Sequence, residues 1–414
     1  MKHLVIFLGG YYPSYSAPGL VIEKMLPELK KHFRITVLTV RRTLHSLGNE
    51  FEFKNVHVIE HSYFLNDRVV ESRFLKKRSF PFWRVLDKLL MMLRNGVETH
   101  TYNTRNALEA LEQLYKCDPF SALLAVSFPV EALQAGALFK KAHQNIRFLS
   151  YSTDTWFQHP VLSLYPNKLL FCQRIVRKEL NAYMDADYCY FSPEIFRNAR
   201  EFLLSVLHKA ASLNYLLLLP SEEAPVMADK KEIHIVYAGT FSRHFRNPKY
   251  FLEVLDFMLM NYRIRVCFDF YLVTHECSEM VVRLREKHPD SVFIHPPVSG
   301  EKINMIIRES DVLLNFSNDL DNFAPSKIFD YIATGRPIID VIYKGRERNE
   351  VFKRYPALLE IVNPGDIEKD AERLVSYIST SEKNRVSFKT LADVYSEAMP
   401  SRVLSELIRK LKEV

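Results

Sequence analysis

The chain has 414 residues, 48% of them hydrophobic and 25% charged, with 11 glycines and 20 prolines. That composition is globular and excludes collagen-like, low-complexity and disordered chains. The formal charge of +7 is uneven: residues 1–220 carry 28 Lys and Arg against 19 Asp and Glu, a balance of +9, whereas residues 221–414 carry 28 against 30, a balance of −2. A basic first part suits an anionic partner, and nucleic acid, a membrane surface or a phosphorylated substrate each satisfies the sign.

At about 150 residues per domain the length predicts two or three domains. The apolar run Leu4–Leu8 is short for a signal peptide, and no stretch approaches the roughly 20 apolar residues that cross a bilayer. A cytoplasmic protein is expected. Cys117, Cys172, Cys189, Cys267 and Cys277 form no C-x-x-C pair, which predicts reduced thiols and neither a disulfide framework nor a zinc site.

In chain order, LVIFL, GGYYPSYSAPG, LVIEKMLPELKKHF and RITVLTV read as strand, loop, helix and strand. SALLAVSF, VEALQAGALFKKAHQ and IRFLSYS repeat that rhythm, and DADYCYFS precedes a helical EIFRNAREFLLSVL. Apolar strands alternating with amphipathic helices predict a parallel sheet covered on both faces. After Pro220 the polar SEEAPVMADKKE reads as a linker. A second series follows: strands EIHIVYAG, RVCFDFYLV, VFIHPP, DVLLNFS and PIIDVI, interleaved with helices YFLEVLDFMLMNY, SEMVVRLREKH, GEKINMIIRES and PSKIFDYIAT. The expected fold class is α/β, two Rossmann-like doubly wound domains facing across a cleft. Residues 1–220 form the first, 221–395 the second, and 396–414 a C-terminal helix that packs on a domain surface or crosses back.

Ligands of doubly wound sheets bind beyond the carboxyl ends of the strands, and two loops there carry misplaced cations. After EIHIVYAG, Asn247 is placed as an N-cap with Pro248 at the first helical position. Arg243, His244, Arg246 and Lys249 then crowd a helix N-terminus, where each exposed cation costs about 0.3–1 kcal/mol. A bound phosphate resolves that conflict; acidic neighbours or solvent would also do so. In NFAPSKIFDYIATGRPIIDV, Lys327 again occupies a first helical turn, and Asp330 shares its face three residues on. The pair suits a phosphate with a sugar diol behind it, or else a surface salt bridge. Gly335 is placed to end that helix.

These residues carry a resemblance. VYAGTF…RHFRNP, SDVLLNF and PSKIFDYIATGRPII, in that order, resemble the nucleotide-sugar-binding domain of GT-B glycosyltransferases, in particular the bacterial family four that builds surface polysaccharides. GGYYPSYSAPG, AVSFPVEALQAGALFKK, YSTDTW and DADYCYFS resemble that family's first domain, so the likeness runs through most of residues 1–345. It implies a metal-independent, retaining hexosyltransferase that needs no cofactor and takes a nucleotide diphosphate sugar as donor substrate. It implies Asp330, before Ala333–Thr334–Gly335–Arg336–Pro337, on the donor ribose, and Lys327 with Arg243 or Arg246 on the diphosphate. Gly239, Thr240, Asn322 and Ser326 complete the donor loops. Gly9, Gly10 and Gly19 let the opening loop approach donor phosphate or acceptor. Many members hold a carboxylate eight residues before Asp330, where this chain has Asn322.

Fixed cations at the leaving diphosphate stabilise the transition state more than the ground state, which assigns catalytic roles to Lys327 and Arg246. Asp154, just past IRFLSYS, is the candidate base for an acceptor hydroxyl, with an N-cap as its alternative use; Tyr151 and Trp156 lie nearby. No H-x-x-x-H, D-x-D or Cys/His cluster occurs, so no metal is expected, although His143 and His159 are available singly.

Residues 73–94 hold seven cations and one acid, with Phe82, Val85, Leu86, Leu89, Leu90 and Leu93 at helical spacing. A basic amphipathic helix of this kind suits an anionic leaflet, where a polyprenyl-linked or polysaccharide acceptor would be met; a core-facing helix with solvated charges also fits. Bulky aliphatics interrupt the basic cluster, which disfavours nucleic acid. Two alternatives to the transferase stand: a nucleotide-sugar 2-epimerase on the same fold, and a non-catalytic glycosyltransferase-like subunit, which Asn322 favours.

Overall fold

Runs such as LVIFL and ALLAVS have no polar side to turn to water, so they suit strands covered on both faces. In the structure, a computed structural model, the described residues are 1–8, 17–42, 56–61, 100–127, 130–155, 168–198, 200–221, 232–273, 275–317, 328–345 and 350–413. They fall into two units, Met1–Leu217 with Pro400–Val414, and Leu218–Met399.

The first unit comprises β1 (Lys2–Leu8), α1 (Ala17–Leu29), β2 (Phe33–Arg42), β3 (Val56–His61), α2 (His100–Cys117), β4 (Ala122–Ser127), α3 (Val130–Ala142), β5 (Arg147–Ser152), α4 (Lys168–Asp185), β6 (Tyr188–Phe191), α5 (Pro193–Asn198) and β7 (Ala210–Ser212). Its parallel sheet has the order β3-β2-β1-β4-β5-β6-β7. The chain moves one way from β1 to β3 and then the other way from β4 to β7, so the order reverses between β1 and β4. Leu4 to Leu8 and Leu123 to Val126 are wholly buried. Helix α3 presses close on the sheet at Gly136, where a Cβ would stand 2.7 Å from the Phe148 ring. The helix read over EIFRNAREFLLSVL is shorter than expected: α5 ends at Asn198 and residues 200–206 run as turns. Ile195, Leu203 and Val206 still reach the core, so the apolar spacing is satisfied without a continuous helix.

The second unit comprises β8 (Ile233–Gly239), α6 (Lys249–Asn261), β9 (Val266–Leu272), α7 (Ser278–Lys287), β10 (Val292–His295), α8 (Gly300–Glu309), β11 (Val312–Phe316), α9 (Ile328–Ile332), β12 (Ile338–Tyr343), α10 (Glu350–Lys353), β13 (Leu358–Asn363), α11 (Ile367–Ser379) and α12 (Phe388–Val394). Its parallel sheet has the order β10-β9-β8-β11-β12-β13, reversing between β8 and β11. One sheet face carries Tyr237, Phe268, Leu314 and Ile339, packed with residues of α6, α7 and α11. Gly335 follows α9 with φ +65°, and a Cβ there would lie 2.1 Å from the Val386 carbonyl oxygen. Only glycine takes that conformation without strain.

The last helices, α13 (Pro400–Val403) and α14 (Ser405–Lys412), belong to the first unit. Arg147 donates to the Lys410 carbonyl at 3.0 Å and pairs with Glu413 at 2.9 Å. Tyr188 donates to Glu406 at 3.0 Å, and Lys2 to the Lys412 carbonyl at 2.7 Å. Among the described residues no helix is long and apolar enough to cross a membrane.

Candidate functional site

A doubly wound sheet opens a crevice where its strand order reverses. In the second unit that places the carboxyl ends of β8 and β11 side by side, and β8 delivers Gly239 and Thr240 there. The Tyr237 hydroxyl donates to the Thr240 carbonyl at 2.8 Å, and its ring stacks on Phe241 at 4.7 Å. This anchors the start of the loop. An antiparallel bridge between Ser242 and Arg246 folds the loop back, and the Arg246 guanidinium then donates to the Thr240 carbonyl at 3.2 Å. Arg246 is thereby held at the end of β8, half-buried.

Helix α9 brings Asp330 to the same place. The adjoining Tyr331 is fully buried and hydrogen-bonds the Ala238 backbone; burial pushes its phenol up to about 12, with Asp330 acting in the same direction and Arg246 against it. One phenol thus senses both the guanidinium and the carboxylate. From β12, Tyr343 donates to the Asn247 carbonyl at 3.3 Å. The result is a cation and the phenols of Tyr237, Tyr331 and Tyr343 at one strand end, with Asp330 next in sequence to one of them; a cation with a nearby carboxylate can hold an anion and a diol.

The other cations of the loop face elsewhere. Arg243 is exposed and pairs with Glu279 of α7 at 2.9 Å, while its backbone N–H donates to Glu276 at 2.7 Å. Lys249 stands 4.0 Å from Glu253. Helix α6 starts one residue later than the sequence suggests, with Pro248 as its N-cap residue; the Asn247 side chain instead accepts the Lys249 N–H at 3.0 Å. Of the crowded cations, Arg246 is the one directed onto Thr240.

In the first unit, Asp154 is exposed on the loop after β5, which Ser127 ties down by donating to the Asp154 carbonyl at 3.3 Å. Glu194, in the first turn of α5 after β6, accepts from Tyr215, which follows β7, at 3.5 Å. Burial pushes the Tyr215 phenol up to about 12, helped by Glu194 and then Asp154. Three successive strand ends therefore present two carboxylates around one phenol. Gly19 does not sit in the opening loop: α1 already begins at Ala17, because Pro18 fits a first turn where its missing N–H has no partner to lose. His143 lies 3.0 Å from Glu112 and against Phe139 at 4.3 Å, a packed surface pair. Gly9, Gly10, Trp156, His159, Asn322, Ser326, Lys327 and the basic stretch 73–94 lie outside the described residues. Among the described residues no group of three or more His, Cys, Asp or Glu could hold a metal ion.

No family model and no curated protein sequence matches the chain. Solved structures do. A trehalose-6-phosphate protein from E. coli bound with UDP-2-fluoro glucose is similar at 14% identity and a TM-score of 0.56, over 100% of this chain and 99% of that one. An alpha,alpha-trehalose-phosphate synthase (UDP-forming) from Burkholderia xenovorans, in complex with glucose-6-phosphate, is similar at 12% identity and 0.55, over 99% and 100%. Sucrose-phosphate synthase from Thermosynechococcus elongatus is similar at 13% identity and 0.52, over 99% of both chains. This chain has the GT-B fold.

Within that GT-B fold, sequence reasoning passed over several residues. Glu194 was legible as an acid directly after the Pro193 that opens a helix following a strand. Glu131 was legible only as an acid in a first helical turn after a strand; it lies in α3 beside the reversal point of the first sheet and is buried. Asp340 and Ser317, at the corresponding point of the second sheet, had no such signal, because PIIDVI and DVLLNFS read simply as strands.

Proposed function

We propose that this protein is a glycosyltransferase that moves a hexose-type sugar from a nucleotide diphosphate sugar to an acceptor hydroxyl. The second unit would hold the donor and the first the acceptor. The observation that carries this reading is Arg246, turned onto the end of β8 beside the reversal point of the sheet. The nucleotide-sugar ligand of the E. coli protein of this fold supports it.

The anomeric carbon's bond to the diphosphate oxygen breaks with its electron pair, and that oxygen gains negative charge opposite Arg246 and Lys327. Cations fixed there favour the transition state over the ground state. A new bond forms to the acceptor oxygen, and Asp154 takes its proton. Asp330 accepts from the donor ribose hydroxyls. The chemistry needs no metal and no cofactor in this reading, and the sugar keeps its anomeric configuration. The acceptor is lipid-linked or a polysaccharide, met at the inner face of the cell membrane through residues 73–94, in bacterial cell-surface polysaccharide synthesis. A second reading, a non-catalytic subunit of the same fold, is favoured by the Arg243–Glu279 pair, which leaves fewer cations for a diphosphate.

Incubation with a panel of nucleotide sugars tests this. Nucleotide released only with acceptor present supports the transferase. A new sugar isomer marks an epimerase, and neither product marks the subunit.

A further inference from the structure

Asp340 is a carboxyl group in the middle of an apolar strand. Its neighbours Ile338, Ile339 and Val341 are wholly buried, and Asp340 itself is 2% exposed. In the register it stands between Asn315 of β11 and Glu360 of β13. Asn315 Nδ2 donates to Asp340 Oδ1 at 2.7 Å, and Ser317 Oγ lies 3.0 Å from both carboxyl oxygens. The Ser317 backbone N–H also donates to the Val341 carbonyl at 3.0 Å. Ser317 is the first residue past β11, so this cluster ties the carboxyl end of β11, whose other neighbour is β8 across the reversal point, to β12.

A buried acid in a strand would ordinarily be replaced by an apolar residue, since its charge is costly to desolvate. Here the donors are Asn315 near the end of β11 and Ser317 just past it, and an ionised carboxylate, which only accepts, matches them. We propose that Asp340 is a positioning residue for the nucleotide-sugar site: its carboxylate clamps Asn315 and Ser317 and so fixes the carboxyl end of β11, the strand beside β8 where the order reverses. The inference rests on the reading of the second unit as the donor site. Protonated Asp340 must give a proton to one of these partners, so either the Ser317 hydroxyl turns or the Asn315 amide flips to accept it; the clamp is then rearranged. Burial, with Glu360 acting in the same direction against the Asn315 and Ser317 hydrogen bonds, leaves this carboxyl titrating at about 7. Donor binding should therefore strengthen as pH rises through neutrality.

The test is calorimetric titration of the full chain with UDP, GDP and ADP between pH 6 and 8. Wild-type affinity should rise about tenfold over that range, the change in ionised fraction of a group titrating at about 7. Asp340→Asn, which cannot ionise, should bind at the weak level and lose this component. Ser317→Ala removes one donor to the anion and should move the midpoint upward. Nucleotide ionisation is common to all three proteins and cancels in the comparison. An Asp340→Asn protein that keeps the wild-type pH slope overturns the positioning role while the donor site stands, and so does an unmoved midpoint in Ser317→Ala if the first variant does not fold. A wild-type protein that binds none of the three nucleotides at any pH overturns the donor site itself, and the positioning role with it.

Discussion

Gly335 offers the sharpest test of how the second unit is held together. Replacing it with alanine places a side chain at φ +65°, which costs an L-residue about 1–2 kcal/mol. The new Cβ would also lie 2.1 Å from the Val386 carbonyl oxygen, so the segment around Val386 must retreat by roughly 1 Å to reach van der Waals contact. That movement strains the hydrogen bond from the Val386 N–H to the Gly335 carbonyl, 2.8 Å long and worth about 0.5–1.5 kcal/mol. Together the loss is about 2–3 kcal/mol. With a urea dependence of roughly 2 kcal/mol per molar for a unit of this size, the midpoint should fall by about 1–1.5 M. Far-ultraviolet circular dichroism reads the transition. A circular-dichroism midpoint that does not move in Gly335→Ala would refute the steric reasoning.

Other substitutions separate binding from stability. Arg246→Ala should weaken nucleotide binding at least tenfold, since a charge-assisted hydrogen bond is worth about 1.5–3 kcal/mol; equilibrium titration reads this, and an unchanged affinity removes Arg246 from the site. Arg243→Ala, at an exposed ion pair, should change nucleotide affinity less than about twofold and stability by no more than about 1 kcal/mol; a tenfold loss of affinity would return Arg243 to the diphosphate. Lys327→Ala should lower turnover at least tenfold, about 1.4 kcal/mol of barrier, with the circular-dichroism spectrum unchanged; full turnover would exclude a phosphate role. Asp340→Asn should stabilise the fold at pH 8. The folded carboxyl titrates at about 7, above its ordinary 3.8, so the native state loses stability as pH rises between these values, up to about 4 kcal/mol. Thermal unfolding at pH 5 and pH 8 reads the difference, and parallel melting curves for the two proteins would reject the linkage.

The strands of the second unit were legible because each is a short apolar run closed by a turn or a helix start: EIHIVYAG, DVLLNFS and PIIDVI all became strands. Strand β13 was not legible, since LLEIVN is half-exposed along most of its length and lacks a continuous apolar signal. The loop after β8 was visible as a crowd of cations. Which of them faces the strand end was not, because the choice between Arg243 and Arg246 depends on Glu276 and Glu279, more than thirty residues away. Asp340 shows the converse limit. Alternation in a strand suggests an acid turned to water, whereas a parallel sheet covered on both faces buries it, and only the register reveals Asn315 and Ser317 as its partners.

Because Pro400–Val414 joins Met1–Leu217, this unit starts earlier in the chain than Leu218–Met399 yet is completed after it. Until translation reaches the final helix, Arg147, Tyr188 and Lys2 of the nascent chain lack the partners they have in the finished protein, and the Tyr188 ring lacks Lys410 stacked over it at 4.8 Å. The intervening unit carries every strand of its own sheet and has no such delay. Loss of α13 and α14 would therefore harm the unit encoded upstream rather than the one that directly precedes them.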